Sequence, residues 1–228
     1  RALVEKNKRD DLHYHPYRIP LHTIRNGVTT VGFDGEETTL KVFGEHNLLN
    51  MQAAWLVCKE LGVEAKTFAA AIGNFTGAAK RLELMAKSNS TVFYRDFAHA
   101  PSKVKATIEA AKSQFPDKRL IAVLELHTFS SLNEAFMNEY NGALDKADEA
   151  AVFYSKHALQ LKRLPELKKE VVEAGFAKEG LAVINERKDL ETWLQTLDFA
   201  DSVVLFMSSG NYDGFDAAAF AASITAKG

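Results

Sequence analysis

Cysteine is nearly missing from this chain of 228 residues: Cys58 stands alone, so no internal disulfide can brace the fold. Lying beside Trp55, Leu56 and Val57, it reads as a buried structural thiol rather than a nucleophile. The lack of disulfides fits a reducing compartment, the cytoplasm. No apolar run approaches the roughly 20 residues of a membrane span, and no signal peptide opens the chain, so no membrane partner is expected. Excess charge is lacking too. The 28 Lys and Arg are balanced by 30 Asp and Glu, which leaves no basic field for nucleic acid. Neither Gly-x-Gly-x-x-Gly after a strand nor Gly-x-x-x-x-Gly-Lys-Ser/Thr occurs. The first absence counts against a nicotinamide or flavin domain, and the second leaves the chain without a phosphate loop of its own. No metal-ligand spacing stands out, so no dedicated metal site is expected.

What is present is enough apolar residue, 46%, for one large or two modest cores. A ragged charged lead-in from Glu5 to Asp11 suggests a piece of something longer. Asn26-Gly27 and Asp34-Gly35 then separate three short runs, Ile19–Ile24, Val28–Phe33 and Thr38–Phe43. Both dipeptides supply the positive φ angles of two-residue turns, so an antiparallel meander is expected. A helix opens at Gly44-Glu45-His46-Asn47 and closes at Gly62. A second, from about Ala65 to Asn74, should bury Phe68, Ile72 and Phe75. After Thr91 strands and helices alternate. Apolar strands fall near Val92–Tyr94, Leu120–Leu124, Ala151–Tyr154, Leu181–Ile184 and Val203–Met207. Helical stripes lie between them, the one through Phe136, Tyr140 and Leu144 opening on a capping-box pattern, Ser131 to Glu134. The fold class expected is α/β, a doubly wound and mostly parallel Rossmann-like sheet preceded by antiparallel strands with helices.

Ligands of open α/β sheets bind beyond the carboxyl ends of the strands. The residues found there are Asp96 and His99, then Glu125, His127 and Thr128, then Ser155 and His157, then Asn185 and Arg187, and last Ser208, Ser209, Asn211 and Asp213. Loops are polar in any case, but histidines after three strands exceed what composition supplies. Asp96 and His99 precede Pro101 at a helix start, a place that collects anions. His46, Asn47 and Asn50 fall on the first turn of their helix. Side-chain amides there can read a purine edge or simply cap the helix.

Three segments in order, Gly44-Glu45-His46-Asn47-Leu48-Leu49-Asn50, Lys80-Arg81-Leu82-Glu83 and Asp96-Phe97-Ala98-His99-Ala100-Pro101, resemble the Mur ligase family of ATP-dependent amide ligases in peptidoglycan assembly. The resemblance spans essentially the whole chain. It implies that residues 1–87 are the tail of the family's central ATP-binding domain and 88–228 its C-terminal domain. The N-terminal sugar-nucleotide domain and the phosphate loop would then lie upstream, and the chain alone would be inactive. It further implies ATP and Mg²⁺, with His46, Asn47, Asn50, Arg81 and Asp96 on the nucleotide and Arg81 and His99 in catalysis. Glu125, His127, Thr128, Ser209 and Asn211 would bind substrate. The Lys-Arg pair, Arg95 before Asp96, and Ala100 depart from the family pattern. Within the family, Leu124-Glu125-Leu126-His127-Thr128 and Met207-Ser208-Ser209-Gly210 are similar to the members that join L-Ala-γ-D-Glu-meso-diaminopimelate to UDP-N-acetylmuramate. Those that add L-alanine usually have Gln-Pro-His-Arg at the first place. A tripeptide substrate is therefore expected, with L-alanine ligation and a non-catalytic nucleotide-binding module as the alternatives.

Overall fold

Two-residue turns and a helical pair build the first of two compact units, residues up to 41 and 45–75, in the computed structural model, which describes residues 9–226. Strands β1 (His22–Arg25), β2 (Val28–Phe33) and β3 (Glu36–Leu40) pair antiparallel in that order. Asn26 and Gly27 have φ of 51° and 72°, and Asp34 and Gly35 of 47° and 94°. Both hairpins thus carry the doubly left-handed turns that match strand twist. Helices α1 (Glu45–Glu60) and α2 (Ala65–Asn74) follow. The core centres on Phe33, whose ring lies 6.0 Å from Trp55 and 5.0 Å from Phe68. A Cβ at Gly73 would fall 2.5 Å from Thr38 Oγ1, so α2 lies tight on β3. Phe75 is not on the buried face; it is the residue that caps α2 and is 47% exposed. Cys58 is half-buried rather than buried.

The second unit holds residues 42–44 and those from 76 onward. Its elements are β4 (Glu83–Lys87), β5 (Val92–Asp96), α3 (Pro101–Gln114), β6 (Arg119–Glu125), a 3₁₀ segment (Glu134–Tyr140) and β7 (Glu149–Phe153). Next come α4 (Lys156–Leu161), α5 (Lys169–Phe176), β8 (Ala182–Ile184), α6 (Arg187–Gln195), β9 (Ser202–Met207) and α7 (Ala217–Thr225). The sheet order is β4-β5-β9-β6-β7-β8; all neighbours are parallel except β4 and β5. From β5 to β8 the chain steps one way across the sheet, so right-handed crossovers put α3, the 3₁₀ segment and α5 on one face. The return to β9 puts α6 and α7 on the other. Alternation serves both layers: Leu120, Ala122 and Leu124 join the first core, Ile121 and Val123 the second.

Three features depart from the sequence reading. Glu83–Lys87 is a strand that its Glu-Leu-Met-Ala-Lys composition does not announce. Because it pairs with β5, it belongs to the second compact unit. Residues 134–140 wind as 3₁₀ rather than α. Their cap is Asn133, which accepts from the Ala135 N–H, while the Ser131 hydroxyl bonds within the preceding turn. Finally, α4 was unexpected; Ser155 Oγ caps it by accepting from the Ala158 N–H at 3.3 Å.

The 3₁₀ segment lies close against α5, where a Cβ at Gly175 would come 2.5 Å from Met137 Cβ and 2.9 Å from its carbonyl carbon and oxygen. Backbone cannot swing aside as a side chain can. Gly175→Ala is therefore expected to lower unfolding free energy by about 1–3 kcal/mol, read from urea denaturation. An unchanged midpoint would mean that the 134–140 segment yields freely.

Candidate functional site

At the end of β5 the sequence places Asp96, and the structure buries it to 5% exposure. Its Oδ2 accepts from the Leu82 N–H at 2.8 Å, and its Oδ1 from the Ala98 N–H at 2.7 Å and the Thr107 hydroxyl at 3.4 Å. The carboxylate thus binds its own chain's backbone on two sides. The segment it holds is strained, since Lys80 and Leu82 both have left-handed φ, 55° and 46°. Non-glycine residues adopt that region at a cost which the surroundings must override. Here the Lys80 N–H donates to Glu83 Oε2 at 2.7 Å, and Arg95 grips Glu83 with two hydrogen bonds, 2.9 and 2.6 Å. Those bonds from Arg95, then the Lys80 N–H, hold the Glu83 carboxyl below the usual range. Arg95, which departs from the family pattern, therefore has a local partner.

The clamp presents Arg81 at the surface, its guanidinium carbon 5.4 Å from the Phe97 ring centre. The His99 ring stands edge-on to Phe97 at 5.2 Å, with Nδ1 2.8 Å from the Phe97 carbonyl. A carbonyl only accepts, so Nδ1 carries the hydrogen and Nε2 is left to accept or bind.

Next along the rim, Glu125 at the end of β6 is 1% exposed. Its Oε2 accepts from the Ser208 hydroxyl and, at 3.0 Å, from the Tyr212 N–H; His127 Nδ1 is 3.7 Å from Oε1. Ser208 also donates its N–H to the Asp96 carbonyl at 2.9 Å, so the ends of β5, β9 and β6 form one network. Gly210 has no room for a side chain, since a Cβ would lie 2.7 Å from the His127 ring and 2.8 Å from Glu125 Oε2. Tyr212 donates to the Val123 and Met207 carbonyls, and burial raises its pKa well above the ordinary value, with the Glu125 charge adding to this. A cleft of about 320 Å³ opens beside the network, with Asp96, Ser208, Gly210 and Asn211 in its wall and Lys80 at its edge.

The remaining expected residues separate. Thr128 is taken up by a reciprocal turn with Ser131, its hydroxyl 2.9 Å from Ser131 Oγ. Ser209 Oγ is buried without a hydrogen-bond partner in the described residues. Asn211 is exposed and accepts from the Gly214 N–H. His46, Asn47 and Asn50 lie on the first turns of α1 in the other unit, with Leu48 and Met51 turned into its core. Sequence reading missed the Glu83–Arg95 clamp and the Ser208–Glu125–Tyr212 network. The glycine at 210, following a buried strand, was the signal for the second. Among the described residues no three His, Cys, Asp or Glu side chains are placed to hold a metal ion. The Mg²⁺ implied by resemblance therefore finds no three-ligand cluster among the described residues.

A doubly wound sheet with a cleft and a continuous polar network at its carboxyl rim is the arrangement in which open α/β domains place ligands. Residues 80–210 match the family described as Mur ligase, glutamate ligase domain, and the chain belongs to that family. It is 42% identical over 136 residues to a UDP-N-acetylmuramate–L-alanine ligase of Paenarthrobacter aurescens, covering 59% of this chain and 30% of that protein. It is 32% identical over 180 residues to the same-named enzyme of Lacticaseibacillus casei, covering 78% and 38%. The chain thus spans well under half the length of these relatives. Among solved structures, a murein peptide ligase from Psychrobacter arcticus aligns with TM-score 0.53 and 25% identity over 82% of this chain and 40% of that one. A UDP-N-acetylmuramate–alanine ligase from Thermotoga maritima aligns with TM-score 0.65 at 18% identity over 91% and 44%, which speaks to fold alone. No helix among the described residues is long and apolar enough to cross a membrane.

Proposed function

We propose that the chain is part of an ATP-dependent ligase that joins the amino group of L-Ala-γ-D-Glu-meso-diaminopimelate to UDP-N-acetylmuramate. A carboxylate is a poor electrophile at neutral pH. Transfer of the ATP γ-phosphoryl group to the lactyl carboxylate supplies a leaving group; the amine then forms the C–N bond as the C–O bond to phosphate breaks. In this reading the clamped Arg81 faces the phosphates, where a guanidinium matches oxygen pairs. His99 offers Nε2 at the mouth of the site, and the rim from Glu125 to Asn211 receives the amine substrate. The chain's task is alignment and charge neutralisation. The family resemblance gives Asp96 the ribose hydroxyls of the nucleotide; with three donors already on its oxygens, it serves the backbone first and meets a nucleotide with what capacity remains.

The observation that carries the choice of amine is the contact between Glu125 and the 208–212 loop. Glu125 and Met207-Ser208-Ser209-Gly210 are the two features similar to tripeptide-adding members, and they are mutually dependent, since Ser208 bonds Glu125 and Gly210 packs on it. They stand or fall as a unit. The murein peptide ligase structure, at 25% identity, supports the same reading. A second reading, L-alanine as the amine, is favoured by the names of the curated relatives. With ATP and UDP-N-acetylmuramate, the full-length protein is expected to turn over tripeptide with higher kcat/KM than L-alanine. Equal or better turnover of L-alanine would replace the first reading with the second.

A further inference from the structure

Beyond the Glu125 network, three strand ends converge on a charged cluster that the reaction itself does not employ. Asp213 follows Tyr212 in a left-handed turn, φ 56°, and its Oδ1 lies 3.5 Å from Nδ1 of His157, just past the end of β7. Arg187, the first residue of α6 after β8, approaches the next turn residue: a Cβ at Gly214 would lie 3.5 Å from its Nη1. Gly214 itself has φ of 81°, so glycine is suited to both the turn and the approach. Arg187 Nε donates to Glu191 Oε1 at 2.7 Å, which holds the guanidinium by one of its five N–H groups. The neighbouring cations are otherwise engaged: Lys156 with Glu186 at 2.9 Å, and Lys162 over the Phe129 ring.

We infer that Asp213, with His157 and Arg187, forms a distal subsite for a zwitterionic amino-acid end, with the Asp213 carboxylate taking an ammonium and Arg187 a carboxylate. The inference rests on the tripeptide reading and deepens it. Reach decides the matter. In the order β5-β9-β6-β7, the β5 end and the β7 end are three strand spacings apart, about 14 Å. A free amino acid reacting near His99 spans about 3.5 Å and cannot touch the cluster. Three extended residues span about 10 Å, and a γ-linked glutamate and a diaminopimelate side chain carry the chain further. That side chain ends in one ammonium and one carboxylate, the complement of Asp213 and Arg187. A surface ion pair serving solubility alone would not need three elements and a glycine to assemble it.

The test compares, in the full-length ligase, the tripeptide ending in meso-diaminopimelate with the one ending in L-lysine, which keeps the distal ammonium and lacks the distal carboxylate. The wild type is expected to favour diaminopimelate by about ten- to a hundredfold in kcat/KM, the worth of a charge-assisted hydrogen bond. Arg187→Ala should bring that ratio near one. Asp213→Asn, which tolerates the left-handed turn, should lower kcat/KM for both peptides by about tenfold, mainly through KM. Melting temperatures of both variants within a few degrees of wild type show that the fold is retained. If both peptides react and the ratio survives Arg187→Ala, or Asp213→Asn changes neither peptide, the subsite is overturned while the tripeptide reading stands. If wild type uses L-alanine and neither peptide, the tripeptide reading fails and the subsite with it.

Discussion

Glu125→Ala is expected to destabilise this chain by about 3–5 kcal/mol in denaturant unfolding. The residue is 1% exposed and accepts from the Ser208 hydroxyl and the Tyr212 N–H. Truncation leaves both donors buried without an acceptor, at about 1–3 kcal/mol each, and opens a cavity that the β6 and β9 backbones cannot close. The damage should not stay local. The Tyr212 hydroxyl keeps the Val123 and Met207 carbonyls, but its N–H loses its acceptor, which loosens the backbone of the turn that carries Asn211 and Asp213. Glu125→Gln keeps one carbonyl oxygen and should cost about 1–2 kcal/mol. A Glu125→Ala midpoint within error of wild type would show that water enters and satisfies the loop. The carboxylate would then be held for its substrate contacts rather than for the fold.

Much of the second unit was legible because its strands are long apolar runs. Val203 to Met207 and Leu120 to Leu124 are covered on both faces, and burial on both sides removes the polar alternation that would obscure them. The hairpin turns were legible for a different reason: Asn-Gly and Asp-Gly are among the few dipeptides that tolerate two left-handed residues. What failed was structure decided by distant partners. Glu83–Lys87 has no strand character of its own and is held by an antiparallel partner on the sheet edge. The 134–140 stretch has a helical stripe, but Met137 against Gly175 and Tyr140 stacked on Phe176 at 4.8 Å fix a tighter winding. At the rim the residue types were readable and their partners were not. Nothing in Lys-Arg-Leu-Glu announces that Glu83 reaches back to the Lys80 amide, nor that Arg95 completes the grip.

Asp96 carries the second large expectation. A carboxylate at a rim would tolerate truncation, losing nucleotide affinity alone; the buried one found here should not. Asp96→Ala strips acceptors from the Leu82 and Ala98 N–H groups, both at buried residues, so a loss of about 2–4 kcal/mol is expected. The consequence extends to Arg81. Leu82 holds a left-handed φ of 46°, and the bond from its N–H to Asp96 helps to offset the cost of that conformation. Without it, residues 80–82 are free to relax and the guanidinium leaves its station over Phe97. Asp96→Asn separates the two roles, because it keeps one carbonyl acceptor while removing the charge. If Asp96 serves the backbone, the Asn variant should retain more of the stability than Ala does. In the ATP-dependent ligase proposed above, the ATP KM of the two variants should then rise in the same order as their stability falls. A ribose role with no structural share predicts the opposite pattern: equal, near-native unfolding midpoints for both variants, and an ATP KM raised about ten- to a hundredfold in each. Measuring midpoint and KM on the same two proteins decides which role the carboxylate plays.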